Sequence, residues 1–257
     1  MNKALIKKRF AESKTTYNKH AIAQQQICMQ LSQLIKNQQR NHFDAVLEVG
    51  CGTGGYTQEL LHCITANRYT LNDLCNHIQP ESLPNNSTHF QFIEGDAEEI
   101  DLGSEYDLIT SASTIQWFVR PNAFVHKCHT MLKPDGLLIL NTFGTDNLIE
   151  VKQTTGSGLT YYTTDAIKQW FEPYFEHVQV MEEKIKLTFD TPRDVLKHIK
   201  LTGVNALSSS SQRWSKQLLA NFNTEYLSLF ATDKGVTLTY HPIYIVASGK
   251  KIKDTIQ

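Results

Sequence analysis

The chain has 257 residues, and its 25 Lys and Arg residues are balanced by 26 Asp and Glu residues, so the formal net charge is −1. No global electrostatic field would therefore recruit nucleic acid, and no apolar run approaches the ~20 residues that span a bilayer. The five cysteines show no Cys-x-x-Cys pair and no zinc spacing, so we expect no metal site. The basic N-terminus lacks an apolar segment of the secretory type, which predicts a cytoplasmic protein.

The first segment with a clear periodicity is helical. Ile27, Leu31 and Leu34 recur at the spacing of one helix face, which predicts an N-terminal helical cap over residues 1–40. Strand and helix patterns then alternate over residues 44–143, which predicts the core of a doubly wound parallel sheet.

A glycine-rich turn opens this core. Residues 46–54 read Val-Leu-Glu-Val-Gly-Cys-Gly-Thr-Gly, with an apolar run before them and an amphipathic stretch, 56–64, after them. This order predicts a strand, a tight turn and a helix. Glycine lets the backbone adopt a positive φ and lets a ligand lie against it, and a helix N-terminus offers free N–H groups. The turn is therefore predicted to hold a nucleotide-like cofactor.

Two details of the turn bear on which cofactor it holds. The string also satisfies the dinucleotide pattern G-x-G-x-x-G, so a nicotinamide oxidoreductase stays open as an alternative. However, Glu48 would repel a pyrophosphate, whereas it can orient an amino group, and Gly54 gives the register G-x-G-x-G. Both details favour S-adenosylmethionine, which has a cationic amino acid end and no phosphate. The motif resembles motif I of the class I S-adenosylmethionine-dependent methyltransferases.

Further candidates follow the next predicted strands. Asp73 comes after a short apolar strand, roughly 20 residues beyond the turn, where an acid bonds ribose hydroxyls. Asp96 ends the third strand, and the resemblance implies that it meets the adenine amine while the Ala97 N–H meets the ring. The fourth strand, 106–112, contains Ser111. The candidate cofactor-binding residues are Glu48, Gly50, Gly52, Gly54, Asp73, Asp96, Ala97 and Ser111.

The remaining patterns complete the predicted fold. A Leu-Lys-Pro-Asp-Gly turn precedes a fifth strand, and a short helix over residues 165–171, with Thr164 as its N-cap, follows it. Alternation over 178–189 and 236–248 predicts a sixth and a last strand, with a helical insert, 190–234, between them as a substrate lid. We expect a single methyltransferase domain over residues 1–257. The fold class is α/β and Rossmann-like, with a seven-stranded, mostly parallel sheet whose last strand is antiparallel, and with helices on both faces.

The flanking segments resemble one family within this class. They are the stretch 9–21, Ser113-Thr-Ile-Gln-Trp117, residues 141–148, the block 195–206 that reads Val-Leu-Lys-His-Ile-Lys-Leu-Thr-Gly-Val-Asn-Ala, and Tyr240-His-Pro-Ile-Tyr244. Together they resemble the malonyl-[acyl-carrier protein] O-methyltransferases of biotin biosynthesis over nearly the whole chain. That family methylates the free carboxylate of a malonyl thioester carried on acyl-carrier protein. The ester hides the charge, so that fatty acid enzymes extend a disguised pimeloyl precursor.

The implied reaction requires a residue that binds the substrate carboxylate, which we call the anchor. A carboxylate is already ionised near neutral pH, so no strong general base is needed. The candidates are Tyr17, His20, Gln116, Trp117, Lys200 and Asn205. Of these we favour Tyr17, Gln116, Trp117 and Lys200 as catalytic residues, although Trp117 also suits a core aromatic and Lys200 a solvated helix face.

An acidic carrier protein would need a basic docking site. Lys184, Lys186, Arg193 and Lys197 cluster in sequence beside the insert, and a second cluster lies within residues 3–9. Runs of charge also occur on ordinary solvated surfaces. The carrier of the malonyl group stays open between acyl-carrier protein and coenzyme A. Other functions stay open as well: a methyltransferase for another small acid or for a quinone precursor, and a non-catalytic S-adenosylmethionine-binding subunit.

Overall fold

The computed structural model describes residues 2–78, 83–84, 88–203 and 215–251, with the side chains of 13–15 left aside. The helices are α1 Lys3–His20, α2 Ile22–Lys36, α3 Gly55–Leu61, α4 Pro121–Met131, α5 Ile149–Thr155, α6 Thr164–Phe171, α7 Pro192–Leu201 and α8 Lys216–Phe230. The strands are β1 His42–Val49, β2 Thr65–Asp73, β3 His89–Glu94, β4 Tyr106–Ser111, β5 Leu132–Phe143, β6 Phe175–Glu182, β7 Ile185–Phe189, β8 Ala231–Thr232, β9 Gly235–Tyr240 and β10 Pro242–Lys250. Within these described residues, no helix is long and apolar enough to cross a membrane.

Seven of these strands form one sheet in the order β3-β2-β1-β4-β5-β10-β6. The pairs from β3 to β5 are parallel, and β10 is antiparallel to both of its neighbours. This topology confirms the predicted fold class. The chain moves outward from β1 to β3 and then returns to β4 on the other side of β1. Such a switch point leaves a crevice at the carboxyl ends of the strands, which is where ligands bind in open α/β sheets.

The sheet has a hydrophobic layer on each face because side chains alternate along a strand. In β1, Val46 packs into one cluster with Ile27 and Leu31 of α2, whereas Leu47 packs into the other with Phe124 of α4. All of these side chains are almost completely buried. The helices therefore cover both faces, as the sequence pattern predicts.

Two predicted strands are each broken in the structure. Residues 178–189 form β6 and β7, and residues 236–248 form β9 and β10, because the chain changes sheets at Glu183 and at His241. β7, β9 and β8 make a second, three-stranded sheet that the sequence analysis did not predict. His241 is buried at the break, where the Asp146 N–H donates to its Nδ1.

Smaller corrections concern element boundaries. β5 begins at Leu132 and not after the predicted turn, because Tyr106 pairs with Leu132 while Leu108 pairs with Leu137, which makes residues 133–136 a bulge in the strand. The N-cap of α6 is Thr163, whose side chain accepts the Ala166 N–H, and not Thr164. The predicted helical insert contains α7 and α8, and it ends in the short strand β8.

Helix α1 lies across the carboxyl edge of the sheet. Near its start, Lys3 Nζ lies 2.7 Å from Glu98 Oε2 in the loop after β3. Near its end, Thr16 Oγ1 donates to the Leu201 carbonyl of α7. The helix therefore connects the crevice at β3 with the insert, and it forms one wall of the site described below.

Candidate functional site

The glycine turn after β1 takes the conformation that its sequence requires. Gly50, Gly52 and Gly54 all have positive φ, at 76°, 53° and 82°. A Cβ on Gly50 would clash with the Thr114 side chain, and one on Gly54 would lie 2.7 Å from Ile78 Cδ1, whereas one on Gly52 would meet nothing within 4 Å. Packing against Thr114 therefore requires glycine at position 50, the positive φ favours glycine at position 54, and Gly52 faces open space.

That open space is a cavity of about 410 Å³, which we call the cofactor cavity. It lies at the carboxyl ends of β1, β2 and β4, and α1 and α2 form its other wall. Its volume falls in the range of ~300–1,000 Å³ that small-molecule sites occupy. The sequence-predicted residues that line it are Gly50, Gly52, Asp73, Asp96, Ala97, Tyr17 and Trp117.

Asp73 is fixed by the turn. Its Oδ2 accepts the Gly52 N–H at 2.9 Å, and its Oδ1 accepts the Cys75 N–H at 3.1 Å. Burial raises the pKa of the Asp73 carboxyl, and the two N–H groups oppose that rise. The carboxylate is thus held rigidly in the wall of the cavity, where it can accept hydrogen bonds from ligand hydroxyls.

Asp96 and Ala97 mark the opposite end of the cavity. Asp96 Oδ1 accepts the Glu98 N–H at 3.1 Å and lies 3.3 Å from Lys3 Nζ. Because Lys3 belongs to α1, this ion pair holds the helix over that end of the cavity. The Lys3 ammonium also lies 4.8 Å from the centre of the Phe118 ring.

Three predicted cofactor residues lie outside the cavity lining. Glu48 is buried, and its Oε2 accepts the Tyr69 hydroxyl at 2.7 Å while its Oε1 has no partner among the described residues. Burial raises the pKa of Glu48 to about 7. Ser111 Oγ donates to the Val49 carbonyl at 2.7 Å and so ties β4 to β1. With Gly54, these residues support the turn, and their contact with a cofactor stays a prediction.

The charges around the cavity distinguish the two cofactors that the motif allows. Three carboxylates, those of Glu59, Asp73 and Asp96, line it, while the ammonium of Lys3 is paired with Asp96 and Glu98. A pyrophosphate would meet net negative charge here. S-adenosylmethionine suits the same lining, because its sulfonium and ammonium groups are cationic and its ribose hydroxyls are donors.

A second, much smaller cavity adjoins the first. This inner recess has a volume of about 20 Å³ and shares Tyr17, Ser113 and Trp117 with the cofactor cavity. Gln116 also lines it, and its Nε2 donates to the Ser113 carbonyl at 2.6 Å. Lining residues that the sequence analysis missed are Gln24, Ser113, Asn147, Tyr161, Thr202 and Tyr240. Several lie inside segments that carry the family resemblance, but no local pattern assigns them to one cavity.

An outer groove of about 360 Å³ leads away from the recess. Gln116 and Tyr161 line both spaces, and Trp117 lines all three, so Trp117 stands at their junction. Arg9 lies in the wall of the groove, as does the Trp170 side chain. The three spaces together offer room for a cofactor, a small polar group and an extended arm.

The other anchor candidates lie elsewhere. Lys200 is exposed on α7 and is not part of the lining of the three spaces. His20 is half-buried at the end of α1 and lines none of them either. Asn205 and the serine run 208–211 lie outside the described residues. The roles of Lys200 and His20 stay predictions.

Comparison with known proteins decides the family. A methyltransferase domain model matches residues 47–140. A malonyl-[acyl-carrier protein] O-methyltransferase of Porphyromonas gingivalis is 42% identical over 95% of this chain and 94% of its own length. One of Haemophilus influenzae is 39% identical over 99% and 97%. The chain belongs to the malonyl-[acyl-carrier protein] O-methyltransferase family.

Solved structures agree on the fold of this family member. The YcgJ protein of Bacillus subtilis superimposes with a TM-score of 0.62 at 15% identity, over 86% of this chain and 98% of that one. A Burkholderia thailandensis 1,6-didemethyltoxoflavin-N1-methyltransferase, solved with S-adenosylhomocysteine, gives 0.52 at 15% identity, over 95% and 88%. Both likenesses show a class I methyltransferase fold.

Family membership also settles the choice of cofactor. The malonyl-[acyl-carrier protein] O-methyltransferases are methyltransferases, so this family member is an S-adenosylmethionine-dependent enzyme and S-adenosylmethionine is its methyl donor. The acid-lined cavity fits this donor. The nicotinamide and non-catalytic alternatives are thereby set aside.

Proposed function

We propose that this enzyme methylates the free carboxylate of malonyl-acyl-carrier protein and so forms the malonyl methyl ester that primes pimeloyl synthesis for biotin. The observation that carries the proposal is the 42% identity to a relative of that name over 95% of the chain. The five cysteines are free thiols, which suits a reducing cytoplasm, where we place the reaction.

For this reaction, the protein has to align the carboxylate oxygen with the methyl group and to exclude water from the site. When bound, S-adenosylmethionine would supply a methyl group to a carboxylate oxygen: a C–O bond forms as the C–S bond breaks, which gives the methyl ester and S-adenosylhomocysteine. Charge is lost along this path, so a dry site favours the reaction relative to water. Holding the oxygen in line with the methyl group is worth up to ~7–11 kcal/mol in ideal cases. Helix α1 and Trp117 are placed to enclose the reacting groups.

The cofactor cavity, the inner recess and the outer groove suit different parts of the two substrates. We assign the cofactor cavity to S-adenosylmethionine, with Asp73 on the ribose hydroxyls and Asp96 and Ala97 on the adenine. The inner recess would take the acyl end, and the outer groove the thioester arm. Tyr17 and Trp117 contact both the cofactor cavity and the recess, which supports their predicted place beside the reacting atoms.

We further propose that the carrier protein docks on a basic face of the insert. Arg193, Lys197 and Lys200 are exposed and follow the spacing i, i+4, i+7, so they share one face of α7. Lys186 is exposed on the neighbouring strand β7. Lys184 contributes less, because its Nζ lies 2.7 Å from Asp146 Oδ2.

The test is methyl transfer from labelled S-adenosylmethionine to malonyl-acyl-carrier protein. Acetyl-acyl-carrier protein, which lacks the free carboxylate, is the control. Label on the malonyl form alone supports the proposal. No label on either substrate, from an enzyme that binds S-adenosylhomocysteine, would contradict it and would point to another small acid or a quinone precursor.

A further inference from the structure

The inner recess has a mostly apolar lining that also contains polar side chains, and it is uncharged. Of the twelve residues that line it in the described part of the chain, none is Lys, Arg, His, Asp or Glu. Behind this lining, His198 Nε2 lies 2.9 Å from the Tyr240 hydroxyl. Burial lowers the pKa of His198 to about 4, so this ring is neutral at physiological pH. A carboxylate in the recess would therefore meet no cationic side chain among the described residues that line it.

The recess nevertheless contains polar atoms without partners. Gln24 Oε1, Ser113 Oγ and Gln116 Oε1 are buried and accept or donate no hydrogen bond among the described residues, and Gln24 as a whole is only 5% exposed. Buried polar groups in native proteins are almost always hydrogen-bonded, so each exception asks for an explanation. Three such atoms around one small space indicate a polar ligand.

Hydroxyl groups supply donors to this space. The Tyr161 oxygen accepts Asn147 Nδ2–H at 2.8 Å, which leaves its own proton free to donate. Burial raises the pKa of Tyr161 to about 12 and also raises the pKa of Tyr17, so both phenols keep their protons. The Ser113 hydroxyl is unpartnered and can rotate toward a ligand.

The two glutamines differ in what they can offer. Gln116 Nε2 already donates to the Ser113 carbonyl, so the atom of Gln116 that remains free is the acceptor Oε1. This oxygen would repel a carboxylate, whereas it suits an amide N–H of a thioester arm. Burial raises the pKa of Tyr240, and a hydrogen bond from the Gln24 side chain opposes that rise, while Gln24 Oε1 has no partner among the described residues. An amide nitrogen carries two N–H groups, so Gln24 has a second N–H to offer an anion.

We propose that the inner recess is the carboxylate subsite, in which Ser113, Tyr17 and Tyr161 hold the substrate anion through neutral donors and no cationic side chain contacts it. This inference rests on the proposed function and specifies its anchor. The volume of about 20 Å³ exceeds the ~10–15 Å³ that one water needs on the same measure. It suits the small end of a ligand, with the remainder in the adjoining spaces.

An uncharged anchor suits this reaction for a physical reason. The carboxylate loses its charge as the ester forms, so an Arg or Lys partner would stabilise the ground state more than the transition state. Interactions that favour the ground state do not accelerate the chemical step. Neutral hydroxyls orient the carboxylate while stabilising its ground state less than a cationic side chain would. The sulfonium of the methyl donor is then the cation that faces the carboxylate.

The test compares Ser113→Ala and Tyr161→Phe with the wild-type enzyme. Loss of a hydrogen bond to a charged group should raise the KM for malonyl-acyl-carrier protein about tenfold or more. For Tyr161→Phe, which lies outside the lining of the cofactor cavity, the Kd for S-adenosylhomocysteine measured by calorimetry should stay within about twofold. The Tm of each variant, measured by scanning calorimetry, shows that it folds. Ser113→Ala removes a hydroxyl that has no partner in the protein, so it leaves no broken internal bond. Tyr174→Phe, far from the recess, is the matched control.

The outcomes separate the two proposals. If the wild type transfers no methyl group to malonyl-acyl-carrier protein, the proposed function fails, and the subsite assignment fails with it. If the wild type is active and both variants keep its KM, only the neutral anchor is overturned. A rise of about tenfold on Lys200→Ala in the KM for malonyl-coenzyme A, a substrate that needs no carrier-protein docking, would favour a cationic anchor and would also overturn it.

Discussion

Asp73 illustrates how one side chain can shape a cofactor site. Its two oxygens accept the N–H groups of Gly52 and Cys75, so it orders the glycine turn and also faces the cavity. We expect Asp73→Asn to raise the Kd for S-adenosylhomocysteine about tenfold to 100-fold, because an amide NH₂ would oppose one of those donors. Calorimetric titration measures this.

The matched control is Asp101→Asn, since Asp101 accepts the Gly103 N–H in an exposed turn away from the cavity. An Asp73→Asn enzyme that binds S-adenosylhomocysteine as tightly as this control would refute the assignment of Asp73.

Glu48 is predicted to make the stability of the fold depend on pH. Its pKa is about 7 in the folded protein, against 4.5 as the ordinary value, because it is buried. The folded state therefore binds the proton more tightly, and stability falls as the pH rises from about 4.5 to about 7. Above about pH 7, the ionised Glu48 lowers the free energy of unfolding by on the order of 3 kcal/mol.

Glu48→Gln removes this titration while keeping an acceptor for Tyr69. We expect the Tm of the variant, relative to wild type, to rise by about 5 °C or more between about pH 5 and about pH 8. Scanning calorimetry across that range provides the measurement. A Tm difference that does not change with pH would show that Glu48 is ionised at low cost in the folded protein.

At the scale of single elements, α1 covers the end of the cofactor cavity that contains Asp96. The ion pair between Lys3 and Glu98 is the main polar contact of α1 at this end. The Glu98 side chain is only 5% exposed, so solvent screens this ion pair little. Lys3→Met should accelerate dissociation of S-adenosylhomocysteine about fivefold, as expected for the loss of roughly 1 kcal/mol from a partly shielded ion pair.

Lys8→Met is the matched variant, because Lys8 is exposed and its ion pair, with Glu12, lies within α1 itself. Stopped-flow fluorescence would measure both rates. Equal dissociation rates for the two variants would mean that Lys3 does not hold the helix over the cofactor.

Local pattern was sufficient for most elements and insufficient where the chain changes sheets. Motif I predicts β1, its turn and α3, because glycine spacing and apolar periodicity are local properties. A period of two residues shows that a segment is a strand, but it does not show which sheet the strand joins. The break at His241 depends on contacts with Asp146 and Glu182, which are far away in sequence, so no local pattern contains it.

At the scale of the whole molecule, the contrast between local pattern and distant contacts also distinguishes the cofactor cavity from the inner recess. Asp73 and Asp96 follow successive strands of a known topology, so their convergence could be predicted. The inner recess is built by Tyr17, Ser113, Tyr161 and Tyr240, which come from distant segments and meet only in the folded protein. Lys200 belongs to a segment that carries the family resemblance, and it is exposed on α7, so its role as an anchor stays a prediction.

The exposed face of α7 gives the prediction that involves the whole enzyme and its carrier. Because Arg193 and Lys197 share that face, the double variant Arg193→Glu/Lys197→Glu should repel an acidic carrier protein. We expect KM for malonyl-acyl-carrier protein to rise about tenfold at low salt, while KM for malonyl-coenzyme A changes little. The effect should shrink as added salt shortens the screening length to about 8 Å at 0.15 M.

The control is Lys36→Glu/Lys152→Glu, which changes the net charge equally at exposed positions on α2 and α5. If both double variants raise KM for the carrier substrate alike, global charge and not the α7 face governs docking. If the α7 variant impairs malonyl-coenzyme A as strongly as malonyl-acyl-carrier protein, its effect lies in the catalytic site, and the docking surface must be sought elsewhere. Selective loss on the carrier substrate, reduced by salt, is the result that the structure favours, since the three aligned cations of α7 lie outside the lining of every described cavity.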